Sequence, residues 1–380
     1  MNNLSFPTFH HQPLVSFIVQ TMQENGGSLP FIEFMKHALY APGLGYYSTL
    51  QWDAQKDFVT APELSPLFSQ CIAKQCQQIL SSLQDGVILE FGAGSGRMAA
   101  EILKELARLD HLPARYFILE VSAQLRQRQQ LTLQTHAHEF LERVCWLDRL
   151  PSQPLQGIIL ANEVLDAMPI QRFSLEEKDV GEFYVSYQDD HFAWRVFSTP
   201  DLTLRHAVEA LRSDLSVGYV SEINPVLPGW IRSLSAVLSR GVIILIDYGF
   251  PRREYYHPQR HQGTLMCHYQ HRAHTDPLIL VGLQDITAHV DFSAVAQAAM
   301  STGLHVAGYT TQAHFLLACG LPELLSHYYS KDFKAYLQVA QQVKMLTLPS
   351  EMGELFKVIA LTQHFDVPLQ GFEKDERNRL

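Results

Sequence analysis

Apolar and polar positions change their rhythm near residue 86. From there on, short aliphatic runs alternate with stretches of helical periodicity. The runs are 87–91 (VILEF), 115–120 (RYFILE), 143–147 (RVCWL), 157–161 (GIILA) and 241–248 (GVIILIDY), with helices expected over 96–109 and 122–135. They are apolar throughout instead of alternating, as strands covered on both faces require. Strand–helix alternation of this kind predicts right-handed crossovers and an α/β fold, a doubly wound, Rossmann-like parallel sheet. A late run, 355–361 (LFKVIAL), reads as a strand returning to that sheet as an antiparallel element, and 304–311 as a further strand.

The remaining segments decorate this frame. Residues 13–40 read as an amphipathic helix, a turn at Asn25-Gly26-Gly27, and a second helix stopped by Pro42 and Gly43. The Pro-, Gly- and aromatic-rich stretch 41–70 predicts an ordered loop leading into a helix, capped by Ser65 with Pro66 in its first turn. Two alternating runs around Asp189-Asp190, within 181–197, read as an antiparallel hairpin inserted between the fourth and fifth strands. Helical periodicity returns at 203–213, 225–238, 291–302 and 321–345. The expected organisation is an N-terminal helical cover at 1–70 and one catalytic domain at 71–380, with insertions at 175–238 and 312–350 that supply the hairpin and C-terminal helices.

Composition narrows the class. Of 380 residues, 47% are hydrophobic and 18% charged, which excludes a disordered chain. Lys and Arg number 29 against 39 Asp and Glu, so a general nucleic-acid binder is excluded and an anionic membrane surface disfavoured. No aliphatic run approaches the ~20 residues that span a bilayer. Five scattered cysteines, Cys71, Cys76, Cys145, Cys267 and Cys319, form no C-x-x-C pair and fit reduced thiols. The first residues carry no secretory signal, and no arginine precedes Arg97, so a cytoplasmic protein is expected.

The strongest local signal is VILEFGAGSGRMAAEIL at 87–103. A strand ends at Glu90, a loop carries Gly92, Gly94 and Gly96, and a helix follows at once. Glycines let the backbone approach a ligand closely, and the helix N-terminus offers free N–H groups to the same space. A dinucleotide fingerprint would need glycine at 97, where Arg97 stands. The pattern is E-x-G-x-G-x-G instead. An acid at the strand end repels a pyrophosphate but suits a cation, and the loop resembles the cofactor motif of S-adenosyl-L-methionine (SAM)-dependent methyltransferases. Glu120 ends the next strand, where a carboxylate can accept two ribose hydroxyls. Asp148, after the third strand, is a candidate acceptor for the adenine amino group.

Two further constellations concern the acceptor. After the fourth strand comes ANEVLDAMP, placing Asn162, Glu163 and Asp166 at the sheet edge where ligands bind in open α/β folds. Asn162 is assigned to the cofactor. A nitrogen acceptor needs carboxylates to orient it and take its proton, so Glu163 and Asp166, together with His289, are the candidate catalytic residues. Thr60 and Glu63, in the N-terminal segment, are candidates for substrate binding. The block 263–292 adds His268, His271, Arg272, His274, Asp276, Asp285, Thr287, His289 and Asp291. It reads as a metal site with imidazoles sharing a helical face, as a polar substrate pocket, or as a structural loop. Methyl transfer from SAM needs no metal, and none is assigned. His268, His271, Arg272, Asp276, Asp285 and Asp291 are taken as substrate-binding candidates.

Taken together, TAPELSPLF (60–68), the glycine loop, LEVSAQLRQRQ (119–129), NEVLDAMP (162–169), LIDYG (245–249) and GTL…QDITAHVDF (263–292) resemble the MidA family. The similarity runs from about residue 12 to 363. The resemblance implies a class I methyltransferase fold with extra helices, SAM as cofactor, and transfer to an arginine of a protein. For the family's mitochondrial member that protein is a respiratory complex I subunit. It also implies Gly92, Gly94 and Gly96 as the SAM loop and Glu120 as the ribose acid. Two positions depart from the family pattern: Lys56-Asp57-Phe58 where Gly-Asp-Phe is usual, and Thr275 where an acid or asparagine is common before Asp276-Pro277. The expected partner is an acceptor protein, with neither nucleic acid nor membrane insertion, and a bacterial member is expected. Alternatives are a SAM-binding assembly chaperone without transfer activity and a small-molecule methyltransferase.

Overall fold

Aliphatic runs far apart in the sequence become neighbouring strands. The computed structural model describes residues 10–48, 59–329 and 333–380, and the chain divides into two units. One consists of residues 59–165, 228–252 and 290–380; the other of the residues before 59, 166–227 and 253–289.

Among the described residues, the first of these units carries an eight-stranded sheet. Its order is His305–Thr311, Phe356–Gln363, Leu238–Phe250, Leu155–Asn162, Val87–Phe91, Tyr116–Leu119, Val144–Leu147, and Val290–Asp291 pairs with the end of Leu238–Phe250. The strands from Leu238–Phe250 through Val144–Leu147 are parallel. Phe356–Gln363 runs antiparallel to both its neighbours, as the late aliphatic run predicted. Register explains the unbroken apolarity of these runs. Ile88, Ile158 and Val242 line up on one face and Leu89, Ile159 and Ile243 on the other, all fully buried. Each such side chain stabilises the fold by roughly 1.5–3 kcal/mol. The first face is covered by Pro66–Leu80 and Arg97–Arg108, whose Ile72 and Ile102 join its core. Toward the other, the Trp230 ring of helix Leu227–Val237 meets Phe91 edge-on, with centroids 5.5 Å apart. Ser65 does take the N-cap position before Pro66, with extended dihedrals, but its hydroxyl makes no capping bond.

In the other unit, the described residues form a five-stranded antiparallel sheet and a three-stranded one. The predicted hairpin is Val180–Gln188 with His191–Ser198, turned by Asp189 and Asp190 at φ 49° and 61°. Both central residues are left-handed, the twist that a two-residue hairpin favours.

The expected domain boundaries are redrawn. Helices Gln12–Glu24 and Phe31–Tyr40 do not form a separate cover: their Leu14, Ile18 and Phe34 share one core with Val185 and Phe192 of the hairpin. Between them, Ser28–Pro30 pairs with Tyr184–Ser186. Neither the helix pair nor the inserted sheet buries its apolar face alone. The second half of the expected cover goes elsewhere, since Ala61–Leu64 and Pro66–Leu80 belong with the eight-stranded sheet. The inserted region begins at 166, not 175, and Leu227–Val237 lies almost wholly in the sheet's unit. Helices Gln312–Ala318, Leu321–Tyr329 and Phe333–Thr347 lie between two strands, and Phe315, Leu316 and Leu346 enter the core of that sheet. Among the described residues no helix is long and apolar enough to cross a membrane.

Candidate active site

The glycine loop departs from the strand Val87–Phe91 with Gly92, Gly94 and Gly96 at φ 62°, 51° and 85°. All three occupy the left-handed region that a side chain disfavours. Close approach adds a second constraint at Gly96, where a Cβ would stand 3.0 Å from the Cα of Gln129. At Gly94 a Cβ would meet nothing within 4 Å, so the loop leaves open space there. Helix Arg97–Arg108 starts directly after it, with Gly96 at its N-cap and the Arg97 amide donating to Ser95 Oγ at 3.3 Å, so its N-terminus faces the loop.

Glu120, at the end of the neighbouring strand, is buried but well supplied with donors. Its Oε1 accepts from the Ser122 amide at 2.9 Å and its Oε2 from Gln129 Nε2 at 3.0 Å. Burial pushes its carboxyl up, and these bonds together with the charge of Arg126 pull it back. Loop, acid and helix N-terminus fit the adenosyl half of SAM: a backbone cradle without side chains beside a carboxylate that can accept hydroxyls.

Glu90 departs from expectation. It is fully buried, its Oε2 accepts from the Tyr116 hydroxyl at 2.7 Å, and its Oε1 has no hydrogen-bond partner among the described residues. Burial pushes its carboxyl up to about 7, which the Tyr116 bond only partly offsets. The acid expected to meet a cationic ligand is a core residue beneath the loop, facing the same side of the sheet as Ile88 and Tyr116. Asp148 is exposed and already paired with Arg126. Its carboxylate serves the helix Ala123–His136, so an adenine contact would compete with that ion pair.

At the end of Leu155–Asn162 the chain turns sharply. Glu163 sits at φ 52°, a left-handed conformation that costs a non-glycine residue about 1–2 kcal/mol. Its amide donates to the Ile246 carbonyl at 2.9 Å, and its Oε1 accepts from Asn162 Nδ2 at 3.1 Å. The next two amides, of Val164 and Leu165, both donate to Asp247 Oδ2, at 3.2 and 2.9 Å. Asp247 is fully buried and is the acid of the LIDYG stretch. Asn162 Oδ1 is left buried without a partner among the described residues. This edge of the sheet therefore presents an orphan amide oxygen beside a carboxylate held in a strained backbone.

Other expected residues scatter. Thr60 stands at the N-cap of Ala61–Leu64 without a side-chain capping bond, and Glu63 accepts from the Ser95 hydroxyl in the glycine loop. Glu63 is thereby tied to the glycine loop. Asp166 belongs to the other unit, where its carbonyl accepts from the Ala288 amide at 3.0 Å. There the Tyr47 hydroxyl donates to Asp285 Oδ1 at 2.8 Å, and Tyr40 stacks on Tyr47 with centroids 5.5 Å apart. Burial pushes both phenols up, and the charges of Asp285 and Asp166 push them further, so the two acids surround one tyrosine pair. His268 lies opposite Asp285 in the strand register, and the His289 amide donates to Thr264 Oγ1.

The helical face that a metal reading of the histidines would need is absent among the described residues. Met266–Tyr269 and Arg272–His274 form a tight hairpin, with Gln270 and His271 left-handed in its turn. His271 and Arg272 point to solvent. Asp276 is exposed and accepts from the Leu278 amide at 3.0 Å, a local turn. Asp291 caps Phe292–Ser301 and pairs with Arg252 at 3.2 Å, in the unit of the large sheet. Among the described residues these four take structural or exposed positions. Among the described residues no group of three or more His, Cys, Asp or Glu is arranged to hold a metal ion. The Lys56-Asp57-Phe58 departure lies outside the described residues.

Sequence reasoning missed Asp247 and Gln129. An aspartate amid VIILI on a strand covered on both faces signals a demanded hydrogen-bond acceptor, and that signal was available for Asp247. Gln129 gives none, lying in a helix whose polar residues look alike from the sequence.

Comparison with known proteins agrees with this geometry. Residues 71–310 match the family described as "Putative S-adenosyl-L-methionine-dependent methyltransferase". A crystal structure from Burkholderia thailandensis, bound to S-adenosyl-homocysteine (SAH), is 41% identical and superposes with a TM-score of 0.93, covering 97% of each chain. The human "Protein arginine methyltransferase NDUFAF7, mitochondrial" is 27% identical over 371 residues, covering 89% of this chain and 81% of its own. Its Drosophila melanogaster homolog is 26% identical over 397 residues, covering 91% and 85%. These relatives are named as mitochondrial, so the expected cytoplasmic location draws no support from them. The family match takes in both the glycine loop and the strained Glu163 turn, and this chain is a SAM-dependent methyltransferase of the MidA-like family.

Proposed function

We propose that this enzyme methylates a guanidinium nitrogen of an arginine in a partner protein, with Glu163 as the proton acceptor. The observation that carries the reading is the turn at Glu163. A left-handed glutamate is held by Asn162 and by the Ile246 carbonyl, and the loop after it by a buried aspartate. Glycine would take that conformation without strain, so the side chain is what the site retains.

SAM, when bound, supplies an electrophilic methyl group on a sulfonium. Glu120 accepts the ribose hydroxyls, and the Gly92–Gly96 backbone and the helix N-terminus hold the rest. In the transfer a nitrogen–carbon bond forms as the sulfur–carbon bond breaks, SAH departs, and the nitrogen's surplus proton passes to the Glu163 carboxylate. Asn162 Oδ1, buried and unpaired among the described residues, is an acceptor for a second N–H of the same group. A guanidinium carries five such donors in a plane, so it uses both oxygens at once. The relatives' names as protein arginine methyltransferases support the substrate class. The resemblance noted from the sequence makes a respiratory complex I type subunit the first acceptor to try.

The test uses purified enzyme, methyl-labelled SAM and lysate from a strain lacking this gene. The expected product is one labelled protein that yields methylarginine on hydrolysis. Label in a different amino acid, or only in small molecules, sinks the arginine reading.

A further inference from the structure

Gln129 ties together three parts of the cofactor site that the sequence keeps far apart. Its side chain is fully buried. Nε2 donates to the Gly94 carbonyl at 3.1 Å and to Glu120 Oε2 at 3.0 Å, while Oε1 accepts from the Trp146 indole at 3.0 Å. The orientation of the amide follows from chemistry. An indole N–H can only donate, so the atom facing Trp146 is the oxygen and the NH2 group faces the loop and the acid. The backbone is committed as well, since the Gln129 Cα fills the space a Cβ on Gly96 would need.

We infer that Gln129 is the positioning residue that fixes the Glu120 carboxylate against the glycine loop, so that one rigid unit recognises the ribose. The inference rests on Glu120 accepting the ribose hydroxyls, as proposed above. The Ser122 amide holds Oε1, and Gln129 holds Oε2. Without the second hold the carboxylate can rotate about its last torsion, and its oxygens no longer stand in a set relation to the cradle at Gly94. An apolar residue at 129 would also bury Glu120 with one donor fewer, a cost larger than that of a neutral hydrogen bond. Gln129 touches no reacting atom. Its effect is carried entirely by Glu120 and the loop.

The experiment compares two ligands by calorimetry on the full chain: SAH and its 2′-deoxyadenosyl analogue. Wild type is expected to prefer SAH by about 10-fold or more, the worth of a hydrogen bond to a charged acceptor. In Gln129→Met, SAH binding should weaken by about 10- to 100-fold and the preference should fall to within about 2-fold. Trp146→Phe keeps the glutamine but frees its amide, and should lower the preference to about 3-fold; it carries the test alone if Gln129→Met does not fold. General damage to packing weakens both ligands alike and leaves the preference intact. Unchanged preference in either folded variant overturns the inference. A wild type without any preference overturns the ribose assignment of Glu120 itself, a separate outcome seen before any substitution is made.

Discussion

Two neighbouring strands of one sheet end in left-handed turns, and they reach that conformation by opposite means. After Val87–Phe91 the chain uses Gly92, Gly94 and Gly96; after Leu155–Asn162 it uses Glu163. The first turn is unstrained and presents backbone. The second is strained, presents a carboxylate, and needs Asp247 to hold the loop that follows. Where a site must offer N–H groups and space, glycine serves both ends. Where it must offer a side chain in a set place, the conformation is imposed from outside. Binding and chemistry are thereby assigned to separate turns.

Swapping what each turn presents should separate those tasks, and this is the largest effect expected. Glu163→Gln should lower methyl transfer by about 1000-fold or more while SAH affinity stays within about 3-fold, as loss of a general base requires. Gly94→Val should do the reverse, removing detectable SAH binding by filling the cradle and forcing a β-branched residue to φ 51°. Calorimetry and a transfer assay on both variants decide it. Full activity in Glu163→Gln would dissolve the distinction.

A second contrast sets Glu90, buried under the first turn, against the acids at the sheet edge. Burial holds its carboxyl at about 7, above the ordinary 4.5. The folded state keeps a proton that the unfolded chain gives up above pH ~4.5. Its contribution to stability is therefore complete below that pH and lost as pH rises through about 7. Glu90→Gln, which cannot ionise, should accordingly be more stable relative to wild type at pH 8.5 than at pH 5, by about 2–3 kcal/mol. Urea titrations at the two pH values measure this. An equal difference at both would mean the carboxyl ionises as freely folded as unfolded.

The smallest effect concerns the strain itself. Glu163→Gly should abolish transfer yet raise stability by up to about 1 kcal/mol, visible as a higher urea midpoint with an unchanged slope. Destabilisation instead would show that the bonds to Asn162 outweigh the backbone cost.

Legibility in the sequence followed how local the determinant was. The parallel strands were readable because burial on both faces leaves an unbroken apolar run, and VIILI can mean little else. The glycine loop was readable because turn, spacing and the start of the following helix lie in one continuous stretch, 87–103. The helix pair at 12–40 read correctly as helices, but its assignment as a cover failed: nothing in its own periodicity says that Val185 and Phe192 will pack on it. The histidine block left three readings open for a related reason. Spacings of three residues suit a helical face, whereas Gln270 and His271 turn the chain into a hairpin and send its imidazoles apart. Gln129 was invisible because its three partners lie 9, 17 and 35 residues away, on a loop and two strand ends.

The strand Phe356–Gln363 sits between Leu238–Phe250 and His305–Thr311, although it is made almost last. During translation, more than a hundred residues must emerge before it can take that place. Until then, the VIILI stretch at 242–246 has one hydrogen-bonding edge bare, with an apolar sequence of the kind that pairs with other chains. A chain that stops anywhere after residue 250 and before 356 therefore carries Leu238–Phe250 as a bare edge strand. Chaperone holding of the nascent chain would matter most over that interval. A premature stop in that interval spares every residue of the cofactor loop and still leaves the sheet without the strand that covers Leu238–Phe250.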